Sequence, residues 1–197
     1  GGPGKYRGGL GYVKEIRTLV DGHYTTVTER TAFSSIGIKG GLAGRPGGSM
    51  KNPGTEEEES VFFSRDAVPV KRNDLIRLIT PGGGGWGDPL ERDVELVRLD
   101  VLRRLVSAES AHRDYGVVIQ ADTGEVNHKA TEILRRDFAE ARGPTKLINR
   151  GAYAQTLIEK GHIAVSDPHL ESSDLANDDI LTHYWKDLYK YSNKPSA

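Results

Sequence analysis

The sequence predicts an α+β fold in which a strand-rich, glycine-punctuated first half packs against a helical second half. Three observations carry this expectation. Nineteen of the 24 glycines lie in residues 1–87 and only five follow. Before position 80 the apolar residues alternate with polar ones or sit in short β-branched runs, the period-two pattern of half-buried strands. After Pro89 they recur at spacings of three and four, the period of an amphipathic helix. The expected organisation is a β-rich part over residues 1–88, a helical part of the same domain over 89–142, and a helical C-terminal extension over 143–197.

The elements follow in order. Residues 12–20 (YVKEIRTLV) alternate large and charged side chains and end at Asp21-Gly22, a two-residue hairpin signal. Residues 23–31 (HYTTVTERT), rich in β-branched and aromatic side chains, are the expected return strand. Gly37, Gly40, Gly41, Gly44, Gly47 and Gly48 then break any regular period, so that stretch reads as loop or bulged strand. The acidic run 56–59 reads as a solvated loop, and short strands are expected at 60–64 and 74–80.

A helix is expected over 90–105, with Asp88 as N-cap, Pro89 at the first helical position, and Val94, Val97, Val101 and Leu105 on one face. A second runs over 107–115 and stops at Gly116. Residues 117–119 read as a buried strand and 122–124 as a turn. A third helix covers 127–142, with Ala130, Ile133, Leu134, Phe138 and Ala141 facing inward and Gly143-Pro144 closing it. Further helices are expected over 152–160 and 174–191.

Composition excludes several classes. With 27 basic and 28 acidic residues, a formal charge of −1 does not suit a binder of nucleic acid or anionic membrane that works mainly by charge. The absence of cysteine removes disulfides, thiolate metal sites and cysteine nucleophiles, and fits a reducing, cytoplasmic setting. No apolar run approaches the roughly 18–20 residues of a membrane span. Met50 is the only methionine, so the chain reads as a segment of a larger polypeptide.

The sharpest local feature is residues 80–89, TPGGGGWGDP, with five glycines in six positions between a strand and a helix. Glycine lets backbone come where a Cβ would block it. A run of N–H groups beside a helix N-terminus suits an anion or developing oxyanion, which makes Gly82, Gly83, Gly84 and Gly85 candidate anion or substrate contacts. The Gly-Lys-Ser/Thr ending of a phosphate loop is absent. The alternative is a tight connection crossing another backbone. Lys5 and Arg7, on the pliant opening segment GGPGKYRGGLG, are candidate carboxylate or phosphate contacts; their alternatives are solvation or pairing with a carboxylate of a neighbouring chain. Arg45, between Gly44 and Pro46, has the same ambiguity.

The histidines are His23, His112, His128, His162, His169 and His183, and no pair forms a helical metal-ligand set. Asp179 and His183 share one face of an expected helix, as an i,i+4 ion pair or as two ligands of a metal. No metal site and no catalytic residue is assigned within this chain.

Residues 1–11 (GGPGKYRGGLG), 80–101 (TPGGGGWGDPLERDVELVRLDV) and 105–118 (LVSAESAHRDYGVV) together resemble the C-terminal part of the hydantoinase B/oxoprolinase family. The resemblance runs in order from Gly1 to about residue 135. Trp86 departs from it, standing where a tyrosine is expected. The resemblance implies a B-type component of an ATP-dependent multisubunit enzyme. It implies ATP and magnesium on a hydantoinase A-type partner subunit, and a divalent metal such as Mn or Zn bound in a portion of the B-type polypeptide N-terminal to Gly1. The expected partners are that remainder, the A-type subunit and a small third subunit in a hetero-oligomer, with no nucleic acid and no membrane. The tail beyond 143 points to the alpha-type subunit of acetone and acetophenone carboxylases, hence to joining a ketone and bicarbonate into a β-keto acid. The alternatives are ATP-dependent opening of a cyclic amide (hydantoin, 5-oxoproline or a lactam) and a non-catalytic assembly element of such a complex.

Overall fold

Strands occupy the first half of the chain and helices the second, in a mixed α+β arrangement. The computed structural model describes residues 1–61 and 64–162. The helix expected over 174–191, with His169, Asp179 and His183, lies outside the described residues, as does most of the expected extension 143–197.

The strands are β1 (Val13–Arg17), β2 (Gly22–Thr26), β3 (Gly37–Ile38), β4 (Gly48–Lys51), β5 (Glu59–Val61), β6 (Arg65–Val70), β7 (Leu75–Ile79) and β8 (Ile148–Asn149). One four-stranded sheet has the order β1-β7-β4-β5, and two-stranded ribbons pair β2 with β6 and β3 with β8. The helices are α1 (Val94–Leu102), α2 (Ala108–Tyr115), α3 (His128–Arg142) and α4 (Ala152–Glu159).

The expected β1–β2 hairpin does not form. β1 pairs antiparallel with β7 through Val13↔Ile79 and Arg17↔Leu75, whereas β2 pairs with β6 through Gly22↔Val70 and Tyr24↔Val68. The reason lies in the two connections. The N–H of Thr18 donates to the Asp74 carbonyl and that of Asn73 to the Thr18 carbonyl, at 2.9 Å each. Asp21 Oδ1 accepts the Arg72 N–H at 2.7 Å, so this aspartate caps the opposite turn instead of closing its own. β6 escaped the sequence reading because Pro69 interrupts it. Its ribbon has one partner strand, so a proline without an N–H is tolerated there.

The helical half follows its start signals closely. Ser107 caps α2 and Asn127 caps α3, each accepting an N–H three residues on, and Gly116 ends α2 at φ 60°. Position 90 does not begin an α-helix. Asp88 instead caps a 3₁₀ turn over Pro89–Glu91, the chain straightens at Arg92, and Asp93 caps α1. Residues 117–119 form no strand; Ile119 makes an isolated bridge to Val126. The buried side chain on α3 is Thr131, whose Oγ1 accepts the Val118 N–H, while Ile133 is exposed. Val97, Ala111, Tyr115, Val117 and Val126 form the helical core, with Val94 and Val101 packed on it as their spacing predicts. Leu105 is left partly exposed.

Candidate functional site

The glycine block is a layer between two other glycine-rich segments, residues 1–11 and 36–45. Its N–H groups alternate between them. Gly83 donates to the Gly9 carbonyl and Trp86 to that of Tyr6, on one side; Gly82 donates to Arg45, Gly85 to Leu42 and Gly87 to Ile38, on the other, all at 2.9–3.0 Å. The carbonyls are used in the same way, with Gly83 accepting from Gly2, Gly85 from Ile38 and Gly87 from Lys5. Leu42 N–H reaches the Pro3 carbonyl at 2.7 Å and ties the outer segments together.

Close approach is what requires glycine here. None of Gly82, Gly83, Gly84 and Gly85 has positive φ. A Cβ on Gly84 would coincide with the Ile36 carbonyl oxygen, and one on Gly85 with that of Pro3. The same holds outward from the block: side chains at Gly8, Gly41 and Gly44 would strike the carbonyls of Gly83, Gly85 and Gly82. Among the described residues, Gly84 is the one position from 82 to 87 whose N–H donates to no backbone carbonyl.

Lys5 and Arg7 leave this layer toward the helices. Lys5 Nζ lies 3.1 Å from Glu91 Oε2 on an exposed surface. Arg7 Nε donates to Asp100 Oδ2 at 3.0 Å and its Nη2 to Oδ1 at 3.3 Å. Arg92 Nη2 approaches the same Oδ2 at 2.9 Å, and its Nη1 donates to the Lys5 carbonyl at 3.0 Å. Asp100 and Arg92 are buried, 6% and 9% exposed. Arg92 Nε is buried without a hydrogen-bond partner among the described residues. Arg135 extends the network, donating to the carbonyls of Tyr115 at 3.1 Å and Arg92 at 2.7 Å. Burial pushes the Tyr115 hydroxyl up to about 12 against the opposing pull of Arg92 and Arg7, and burial holds Arg135 below the usual guanidinium range.

The far end of the block is clamped by a second arginine. Asp88, while accepting the Leu90 N–H, takes both terminal nitrogens of Arg142, Nη1 at 2.8 Å. Tyr6 and Trp86 exchange backbone hydrogen bonds at 2.9 and 3.0 Å and stand exposed, with the Lys39 ammonium 5.1 Å from the Trp86 ring centre.

The fold thus brings Gly82, Gly83, Gly84 and Gly85 against the backbone that carries Lys5 and Arg7, and sends both cationic side chains to carboxylates. Sequence reasoning missed Arg92, Asp100 and Arg135. One signal was available for Asp100, because a carboxylate at position 100 falls between Val97 and Val101 on the apolar stripe of α1. Among the described residues no group of three or more His, Asp or Glu is placed to hold a metal ion, and no helix is long and apolar enough to cross a membrane.

Glycine segments interlocked through their carbonyls, followed by a capped 3₁₀ turn and helix, define a B-type segment of the hydantoinase and oxoprolinase class. Residues 1–89 match the hydantoinase B/oxoprolinase family, and this chain belongs to it through them. The chain is 33% identical over 135 residues to the B-type component of a D-/L-hydantoinase of Pseudomonas sp. (strain NS671), covering 68% of this chain and 23% of that one. The crystal structure of the ATP-dependent caprolactamase from Pseudomonas jessenii superposes with a TM-score of 0.52 at 30% identity, over 68% of this chain and 24% of that one. A nucleotide-free acetone carboxylase structure shares the fold over 100% of this chain and 30% of its own, with a TM-score of 0.50 and 18% identity. The chain therefore spans about a quarter of the length of the relatives it matches.

Proposed function

We propose that this chain belongs to the B-type component of an ATP-dependent enzyme that opens a cyclic amide such as hydantoin, 5-oxoproline or a lactam. The observation that carries this reading is the likeness, over 68% of the chain, to a hydantoinase B-type component and to a caprolactamase. In such a reaction an A-type partner uses ATP to phosphorylate the amide oxygen. That turns a poor electrophile into one that water can attack, with phosphate as the leaving group. Nucleotide, magnesium and any divalent metal belong to partner or remaining polypeptide in this reading, in keeping with the absence of a phosphate-loop ending here.

The contribution of this chain is a rigid frame. Gly82, Gly83 and Gly85 spend their donors on neighbouring backbone, and Lys5 and Arg7 anchor the adjacent segment to Glu91 and Asp100. Gly84 N–H is the donor left for an anionic oxygen, preorganised by the layers around it.

A second reading, carboxylation of a ketone with bicarbonate, is favoured by the acetone carboxylase fold extending over the whole chain, past the end of the shared glycine and helix motifs. One assay separates the two. The complex purified with its co-expressed A-type partner is given ATP with hydantoin, 5-oxoproline or caprolactam, and separately with acetone and bicarbonate. Ring-opened product with bicarbonate-independent ADP release is expected. ATP consumption that requires both acetone and bicarbonate would overturn the cyclic-amide reading in favour of the carboxylase.

A further inference from the structure

β1 is an edge strand that pairs with β7 alone, and every one of its five residues is exposed. Its apolar side chains point to both faces: Val13 shares one with Glu15 and Arg17, and Ile16 shares the other with Lys14. Tyr12 precedes them, and Leu19 and Val20, 76% and 71% exposed, continue the apolar rim around the bend toward β2. Open edges are ordinarily protected by charge, bulges or a covering element. Here most of the charge is already committed. Glu15 Oε1 accepts from Arg77 Nε at 2.7 Å across the β1–β7 pair, and Arg17 Nη1 donates to the Asn73 carbonyl at 3.0 Å. A contiguous apolar edge left in this state marks an interface.

We infer that the outer edge of β1, with Val13, Ile16, Leu19 and Val20, receives a β-strand from the remaining part of a hydantoinase B-type polypeptide. The length of the relatives names this occupant: segments matching this chain make up 23–24% of their chains, so about three quarters of each B-type polypeptide is available to cover the edge. Strand addition supplies the main-chain hydrogen bonds that an edge lacks, and apolar side chains opposite Val13 and Ile16 set the register. This assignment rests on the proposed membership of a B-type component, but not on the reaction that component performs.

The test is co-expression of this chain with the caprolactamase B-type polypeptide of Pseudomonas jessenii from which the matching segment has been deleted, read by co-purification and by amide exchange of residues 12–20. Wild-type chain is expected to co-purify and to gain protection there. Ile16→Asp is expected to weaken capture at least about tenfold, as loss of a buried interface anchor does. Leu19→Asp, outside the paired ladder, is expected to weaken it without affecting the fold, which guards against a merely misfolded Ile16 variant. Ile133→Asp, on the exposed face of α3, is expected to bind like wild type. Three results would overturn the inference: undiminished capture of the β1 variants, no complex with wild type, or self-association of the chain that Ile16→Asp abolishes, which would make a second copy the occupant. A complex that forms but opens no ring would refute the proposed reaction and leave the docking surface standing.

Discussion

The Asp100 carboxylate on α1 is gripped by two guanidiniums, Arg7 Nε at 3.0 Å and Arg92 Nη2 at 2.9 Å, both on the same oxygen. This contact joins the glycine layer to the helical half. Removing one member of a buried ion network strands its partners, at a cost of about 3–5 kcal/mol. Asp100→Ala is therefore expected to lower stability by that order in denaturant unfolding, because it leaves two arginines facing each other in a buried space. Glu91→Gln, which breaks the exposed Lys5–Glu91 pair, is expected to change stability by less than about 1 kcal/mol. Equal effects from the two substitutions would refute the weight placed on Asp100.

A methyl group distinguishes the glycines by their surroundings. Gly84→Ala places its Cβ on the Ile36 carbonyl oxygen, and backbone on both sides leaves little room to yield. Overpacking of this kind costs about 1–3 kcal/mol or more. Gly9, in the neighbouring segment, has nothing within 4 Å of the same position and its φ is not positive. Thermal unfolding should therefore show a marked drop in Tm for Gly84→Ala and little change or a small rise for Gly9→Ala.

Two buried acids make stability fall at opposite ends of the pH range. Asp74 is held below the usual carboxylate range, first by the Lys71 N–H and then by the Asn52 amide, with Lys51 adding its charge. A depressed folded pKa stabilises the fold above the unfolded value of about 3.9, and that contribution disappears as pH falls through the folded value. Tyr115 is the reverse case. Its folded pKa is raised to about 12, so its contribution is complete below the unfolded value of about 10 and is lost as pH rises toward 12. Asp74→Asn should flatten the acid limb of a stability–pH profile, and Tyr115→Phe the alkaline limb. A Tyr115→Phe protein that keeps the full alkaline loss would contradict the assignment.

Much of the helical half was legible because its signals are local. Ser107, Asn127 and Gly116 act through hydrogen bonds and a φ angle within four residues of their own position. The strands were legible as strands, since β1 and β7 alternate in sequence, but their partners were not. Asp21-Gly22 carries a hairpin signal that the Arg72 N–H overrides from 51 residues away. β6 was hidden by Pro69, whose acceptability depends on its ribbon having one neighbour. The glycine block was visible as a place where something comes close, but the sequence could not say whether that was a ligand or other backbone.

By itself, the sequence determined the family, the mixed fold class and the helix caps, because these depend on residue type over short spans. Tertiary structure decided which strands pair, where the donors of Gly82–Gly87 go, and that Arg7 meets Asp100 across 93 positions. Those outcomes depend on segments far apart in the chain arriving at one place, where carbonyls fill the space a Cβ would need and one carboxylate satisfies two cations. No local pattern encodes that meeting.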